Sequence, residues 1–374
     1  MPYKIAFVSL GCAKNLVNTE QMMALCRQAG HIVTGDPEGA DVAVLNTCGF
    51  IESAKSEAID NILELAQLKD QGKLKKLLVA GCLSQRYPDD IRAELPEVDG
   101  MLGTGSYSDV VAAVEELMEG EKAEHFGNIH RTYEDGERIV TTPPYTAYLK
   151  IAEGCSNGCA FCIIPKLRGR YRSRTVASLV AEAKKLAASG VKELIVIAQD
   201  ITRYGLDLEE KATLAQLLKE LCRLDFHWIR LHYLYPEAVT DELIQVIASE
   251  PKILHYLDIP IQHCNDNILK AMRRRNTKAE IRALFAKLRA AMPDVVIRTS
   301  LICGLPGEGE EEFEELCAFL LPRGRHSGRR HGGPGGWRGS RPPGRAGGGP
   351  PVPDHGLVQR RTPGNSDGSA VRGL

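Results

Sequence analysis

Gly154-Cys155-Ser156-Asn157-Gly158-Cys159-Ala160-Phe161-Cys162 follows directly on the apolar run Ala147–Ala152. Three thiols at this spacing in one loop can ligate three irons of a [4Fe–4S] cubane and leave the fourth iron open to an outside ligand. Gly154 and Gly158 relieve crowding where the backbone must wrap such a group. The competing reading is a zinc site. It needs a fourth ligand, and no further cysteine or histidine lies close by in sequence. Buried packing cysteines fit less well, because a loop is the wrong place for them.

The run that precedes this loop is the first of five. Leu194–Ala198, Trp228–Leu234, Tyr256–Ile261 and Val295–Ile302 follow, separated by helical patterns. Leu179, Ala183 and Leu186 share one helical face that stops at Gly190; Leu214, Leu217, Leu218 and Leu221 form a second, and Ile281, Leu284 and Leu288 a third. Five such units suit an open or partial (β/α) barrel, with its chemistry on the loops after the strands.

Upstream, residues 1–125 show a second alternating series with apolar runs Ile5–Leu10, Val42–Leu45 and Leu77–Ala80. Met22, Leu25, Cys26 and Ala29 form one helical face closed by Gly30, and Ala58, Ile62 and Leu65 form another. Alternation of this kind predicts a parallel, helix-covered sheet. The polar stretch 126–144, ending in Pro143-Pro144, reads as a linker. The expected fold class is therefore α/β, with an N-terminal parallel sheet domain (1–125) ahead of a partial barrel (145–321).

Each N-terminal run ends at a cysteine: Gly11-Cys12, Thr47-Cys48 and Gly81-Cys82. The three lie 36 and 34 residues apart, too far for any short motif. In a parallel sheet, however, equivalent ends of neighbouring strands sit about 5 Å apart. The three thiols are expected to converge on the sheet edge where open α/β sheets bind ligands. Independent core cysteines would favour strand interiors or helix faces, as Cys26, Cys222 and Cys317 do. Cys264 and Cys303 lie near barrel strand ends.

Eleven cysteines in 374 residues, with no signal-peptide pattern and no apolar stretch long enough to span a bilayer, suggest a cytoplasmic chain whose thiols serve metal or catalysis. The net charge of −1 conceals a split: residues 322–374 hold ten Arg, no Lys and two acidic residues, so 1–321 carries −9. That tail is dominated by Gly, Pro and Arg and lacks Ile, Phe, Tyr and Met. It cannot bury enough apolar surface to offset ordering, so disorder is expected. The change at Leu321 is abrupt, just after the helical pattern of Phe313, Leu316 and Leu320. A reading-frame shift in a GC-rich gene explains it; a natural Arg/Gly RNA-binding tail is the rival. Just after the three-cysteine loop, Lys166, Arg168, Arg170, Arg172 and Arg174 alternate. They read either as a solvated basic edge or as an attraction for an anionic partner.

The CxxxCxxC spacing, with an aromatic before its last cysteine and a (β/α) series behind it, resembles the radical S-adenosylmethionine superfamily. The resemblance implies that Cys155, Cys159 and Cys162 hold a [4Fe–4S] cluster. Its open iron would bind S-adenosylmethionine and cleave it to a 5′-deoxyadenosyl radical. It also implies cosubstrate contacts at Gln199, where many members carry Gly-Gly-Glu instead, and at Arg298, which precedes Gly304-Leu305-Pro306-Gly307-Glu308. The segments Gly11-Cys12-Ala13-Lys14-Asn15, Asn46-Thr47-Cys48 and Gly81-Cys82 resemble the N-terminal domain of the methylthiotransferases within that superfamily. There, Cys12, Cys48 and Cys82 would hold an auxiliary [4Fe–4S] cluster.

Two branches of that family are candidates. Gly11–Val17, Ile163-Ile164-Pro165 with Arg168-Gly169, and Asp258–His263 are more similar to the branch that thiomethylates an aspartate of small-subunit ribosomal protein S-twelve (the RimO branch). The alternative branch, MiaB-like, modifies adenosine in tRNA. The resemblance implies a flavodoxin or ferredoxin as electron donor and no membrane. It also implies that a sixth barrel strand and a C-terminal TRAM domain are missing, with the Arg/Gly/Pro tail in their place. Two alternatives of other classes remain: a non-catalytic iron–sulfur carrier and a zinc-dependent nucleic-acid-binding module.

Overall fold

The computed structural model describes residues 1–131 and 136–321. The tail 322–374, with the disorder and frame-shift readings attached to it, lies outside the described residues.

The N-terminal unit runs β1 (Lys4–Ser9), α1 (Ala13–Gln28), β2 (Ile32–Thr34), β3 (Ala40–Thr47), α2 (Glu52–Asp70), β4 (Leu74–Gly81), α3 (Cys82–Arg86), α4 (Pro88–Glu94), β5 (Gly100–Leu102), α5 (Val110–Glu119) and β6 (Ala123–His125). All six strands are parallel, in the order β2-β1-β3-β4-β5-β6. Successive residues of a strand point to opposite faces, so the continuous apolar runs serve two cores. Ile5, Phe7, Val42, Val44, Leu78 and Ala80 pack under Met22, Cys26, Val114 and Leu117 of α1 and α5. Ala6, Ala43, Leu45, Leu77 and Val79 pack under Ala58, Ile62, Leu65 and Ile91 of α2 and α4. Burial on both faces is why these strands read as unbroken apolar stretches.

Strand order turns outward in opposite directions from β1 and β3, with α1 and α2 on opposite faces. The crevice beyond the carboxyl ends of these two strands is thus the switch point of the sheet. Cys12 and Cys48 leave from it, and Cys82 leaves from the next strand over.

The second unit contains β7 (Thr146–Lys150), β8 (Ala152–Glu153), α6 (Ile164–Arg168), β9 (Arg172–Ser173), α7 (Val176–Ala188), β10 (Glu193–Ile197), α8 (Leu214–Cys222), β11 (Trp228–Leu231), α9 (Asp241–Ser249), β12 (Ile253–Asp258), α10 (Asp266–Ala271), α11 (Lys278–Ala291), β13 (Val296–Arg298) and α12 (Glu310–Leu320). Its five-stranded sheet is parallel, in the order β13-β12-β11-β10-β7, an open barrel around one core. Helices start where the sequence provides caps: Thr213 with Gln216 and Thr277 with Glu280 form capping boxes.

Three features differ from expectation. The short strands β2, β5 and β6 have no signature in the sequence, because three residues cannot display an alternation. Residues 136–142 are docked rather than loose, since Glu20 of α1 accepts from them, as developed below. On α12 only Leu316 is buried, while Phe313 and Leu320 are 42% and 46% exposed.

Candidate functional site

Because β1, β3 and β4 are neighbours in register, Ser9 opposite Asn46 and Asn46 opposite Ala80, Cys12, Cys48 and Cys82 emerge side by side. Polar side chains tie the strand ends together. Asn15 Nδ2 donates to Leu10 O (3.1 Å) and Thr47 O (2.8 Å), Asn46 Nδ2 to Asn15 O (3.0 Å), and Thr47 Oγ1 to Ala80 O (2.6 Å). Gly81, at φ +100°, has no room for a side chain: a Cβ there would lie 2.4 Å from Asn46 Oδ1 and 2.6 Å from Thr47 O. A Cβ on Gly11 would meet Cys48 Cβ at 2.7 Å, so Cys48 rests on the turn that carries Cys12.

The thiols sense one another. Burial raises the Cys48 pKa, and Cys82 and Cys12 push it further up. Burial also raises that of Cys82, with Arg168 opposing and Cys12 reinforcing. Cys12 differs: burial works against ionisation, but Lys14, Arg168 and the Asn15 and Lys14 amides outweigh it, and the thiol falls below its usual value.

The second trio sits on a loop whose base is closed by β8 and β9, antiparallel with Ala152 opposite Ser173. Gly154 (φ +74°) lets the chain pass within 2.2 Å of where a Cβ would touch Arg170 O. Cys155 N donates to Gly169 O (3.1 Å), Cys162 N to Cys159 O (3.1 Å) and Ala160 N to Met272 O (3.0 Å). Cys159 Sγ lies 3.4 Å from Tyr235 Oη, and the Arg274 guanidinium stacks 4.1 Å over that ring. Burial pushes Cys155 up to about 11, with Asp200 and the other two thiols adding to it. Burial and Cys159 raise Cys162.

Among the described residues, no three His, Cys, Asp or Glu side chains are gathered tightly enough for a single metal ion. Within each trio burial and neighbouring thiols raise the pKa of Cys48, Cys82, Cys155 and Cys162. Three soft thiolates suit a four-iron cube that keeps one iron open, whereas a structural zinc takes four ligands. The donor set fits an iron–sulfur cluster.

Gln199 lies two residues past β10 and is half-buried. Its neighbour Asp200 is the residue tied to the cysteine loop: it is fully buried and accepts from Asn157 Nδ2 (2.8 Å), while its carbonyl accepts from Tyr171 Oη (2.8 Å). Arg298 ends β13 with its side chain 54% exposed, its Nη1 2.6 Å from buried Asp258. The basic alternation is only partly a solvated edge. Lys166 and Arg170 are exposed, whereas Arg168 and Arg174 are buried inside the protein.

Arg168 occupies the junction of the two units. Its Nη1 donates to Glu153 Oε1 (3.0 Å) and its Nη2 to Asn15 Oδ1, and its charge opposes the rise of the Cys82 pKa. Lys150 Nζ donates to Glu153 Oε2 (2.8 Å) and to Asn18 Oδ1. Burial disfavours the Glu153 carboxylate, but Lys150 and Arg168 overcome this and hold its pKa far below the ordinary range. On the other side, Lys14 Nζ lies 3.7 Å over the Tyr233 ring at the barrel mouth. Sequence reading places Arg168 among five alternating cations and, with Gly169, in a family-like segment, and does not single out Glu153, Lys150, Asp200 or Tyr235. Their partners lie up to 132 residues away.

Comparison with known proteins agrees with this architecture. Residues 149–320 match the Radical SAM superfamily, and residues 4–103 match Uncharacterized protein family UPF0004. Among solved structures, the radical S-adenosylmethionine methyltransferase TsrM from Kitasatospora setae aligns with a TM-score of 0.62 at 14% identity, over 85% of this chain and 72% of that one. The cobalamin-dependent radical enzyme OxsB aligns at 0.58 and 13%, over 85% and 52%. These likenesses concern the fold. The superfamily match makes the chain a radical SAM enzyme, with S-adenosylmethionine and [4Fe–4S] chemistry as its equipment. Among curated relatives, the ribosomal protein uS12 methylthiotransferases RimO of Clostridioides difficile (strain 630) and of Lachnoclostridium phytofermentans are each 52% identical over 319 residues, 85% of this chain and 72% of theirs. The chain belongs to the RimO family of methylthiotransferases.

Proposed function

We propose that this chain adds a methylthio group to the β-carbon of an aspartate in ribosomal protein uS12, the protein named for its relatives. Cys155, Cys159 and Cys162 hold the radical-generating cluster, and Cys12, Cys48 and Cys82 an auxiliary one. The work is divided between an N-terminal domain (1–125) and a radical SAM core (145–321). The observation that carries the reading is Arg168, six residues past Cys162, which donates to Asn15, three residues past Cys12 in the other domain.

When bound, the clusters with S-adenosylmethionine supply hydrogen abstraction from an unactivated carbon and a methylated sulfur to replace that hydrogen. The protein's own task is orientation. Asp200 fixes Asn157 and thereby the cysteine loop, and Tyr235 props Cys159. The Glu153–Arg168–Lys150 network locks one domain to the other. Gln199 and Arg298 are the proposed contacts for the cosubstrate. A flavodoxin or ferredoxin is the proposed electron donor and the cytoplasm the proposed compartment. Among the described residues no helix is long and apolar enough to cross a membrane.

The test is anaerobic turnover with reductant, S-adenosylmethionine and either uS12 or tRNA. Release of 5′-deoxyadenosine with methylthio-aspartate on uS12 is expected. Modified adenosine in tRNA would assign the other branch, and no 5′-deoxyadenosine at all would leave an iron–sulfur carrier.

A further inference from the structure

The auxiliary thiol ring stands in an uneven field of charge. Arg168 is 2% exposed, and its planar fork donates to Glu153 Oε1 and to Asn15 Oδ1. Asn15 is itself immobilised, because its Nδ2 bridges the ends of β1 and β3. Helix α3, which opens on Cys82, packs against α6, which closes on Arg168. Lys14, 5% exposed, acts on Cys12 as a further cation. Glu153 is the carboxylate that acts on Cys82, and two cations, Arg168 and Lys150, already neutralise it. Around the three thiols the fixed charge is therefore net positive, in a setting of low dielectric where such charge acts strongly.

We propose that Arg168 is a positioning residue for the auxiliary cluster: it fixes that cluster against the barrel and raises its reduction potential. The proposal rests on the assignment of Cys12, Cys48 and Cys82 as cluster ligands. A four-iron cluster on three thiolates carries one negative charge when oxidised and two when reduced. A buried cation close to it stabilises the second state more than the first. An ammonium is a poor substitute, since a planar fork serves a carboxylate and an amide oxygen at once in fixed directions. The link is also geometric. Cys162 and Arg168 are joined by one short helix, so the cation that holds Asn15 beside the Cys12 turn is built on the same segment that closes the radical loop.

The test uses the full chain with Cys155, Cys159 and Cys162 replaced by alanine, so that one cluster remains, reconstituted anaerobically with iron and sulfide. Its potential is read by electron paramagnetic resonance during a redox titration. Arg168→Met is expected to lower the reduction equilibrium about tenfold, which is about 59 mV for one electron, and Arg168→Lys to recover part of the loss. Glu153→Gln keeps the side-chain volume and one acceptor but removes the opposing charge, so it should shift the potential upward. An unchanged potential in an Arg168→Met protein that retains its irons overturns the proposal. Should Arg168→Met shed its irons, Glu153→Gln decides: a rise supports the proposal, and no shift or a fall overturns it. A parent protein with no four-iron signal would defeat the ligand assignment itself, a different failure from a cluster whose potential ignores Arg168.

Discussion

Removing the carboxylate of Glu20 should uncouple the two domains. Glu20 lies on α1 of the N-terminal unit and is fully buried. Its Oε2 pairs with Arg138, and its Oε1 accepts from Thr141 N (2.7 Å) and Thr141 Oγ1 (2.9 Å). Its backbone carbonyl accepts from Ile139 N (3.0 Å). Arg138, with its side chain 4% exposed, reaches on to Glu182 of α7 (2.8 Å) and to Tyr148 O of β7. One linker arginine thus joins a helix of each domain.

Breaking a buried pair by deleting one partner costs about 3–5 kcal/mol. Here Arg138 keeps Glu182, which places the pair at the lower end. Leaving Thr141 N–H without its acceptor adds about 1 kcal/mol. Glu20→Ala is therefore expected to cost about 4 kcal/mol, a large share of the ~5–15 kcal/mol typical of folded proteins. Glu20→Gln keeps an acceptor and should cost roughly half. The assay is anaerobic urea unfolding of the cluster-loaded chain, followed by circular dichroism, with Arg138→Met and the double variant completing a cycle. A coupling of about 2 kcal/mol is expected. A cost below about 1 kcal/mol for Glu20→Ala, or additivity within ~0.5 kcal/mol, would refute the clamp.

Replacing Cys155, Cys159 and Cys162 together, or Cys12, Cys48 and Cys82 together, should each remove about four of roughly eight irons; loss of all iron from either variant would contradict two independent sites. Gly154→Ala should abolish loading of the radical cluster while sparing the auxiliary one, because its Cβ would sit 2.2 Å from Arg170 O; iron analysis with 5′-deoxyadenosine release measures it. The carboxylate of Glu315, held below its usual range by hydrogen bonds from Lys278 and Asn265, contributes stability above the unfolded carboxylate pKa, about 4.3. That contribution is lost as the pH falls through the folded value. The stability difference between wild type and Glu315→Gln should thus be constant from pH 6 to 8 (roughly) and close in acid; a gap that widens on acidification would contradict the sign.

Much of this architecture is legible in the sequence because parallel strands buried on both faces must be apolar throughout. Ile5–Leu10, Val42–Leu45 and Leu77–Ala80 announce β1, β3 and β4. The position of a cysteine just past each run then predicts convergence, since equivalent ends of neighbouring strands lie together whatever their separation along the chain. The cysteine loop is legible for the opposite reason: its spacing is local. Strands of three residues carry no such signal. Gly100–Leu102 is held where it is by close backbone approach, a Cβ on Gly100 falling 2.8 Å from Ala123 O, and not by any pattern of its own.

Charged residues resist reading because their burial depends on partners that only topology supplies. Lys166, Arg168, Arg170, Arg172 and Arg174 look equivalent as a string, yet the hairpin of β8 and β9 turns Arg168 toward the neighbouring domain and Arg174 toward Glu182, while Lys166 and Arg170 face solvent. A guanidinium is tolerated inside only where acceptors wait for it. The acceptors of Arg168 come from residues 15 and 153. No window of sequence contains that set; the fold must exist before the residue has a meaning. The same dependence explains why a polar linker became a clamp: Arg138 reads as solvent-exposed until α1 brings Glu20, 118 residues earlier, against it. Where a run of cations follows a ligand loop, the member that matters is therefore the one whose partners lie on another domain, and exposure in the folded chain separates it from the rest.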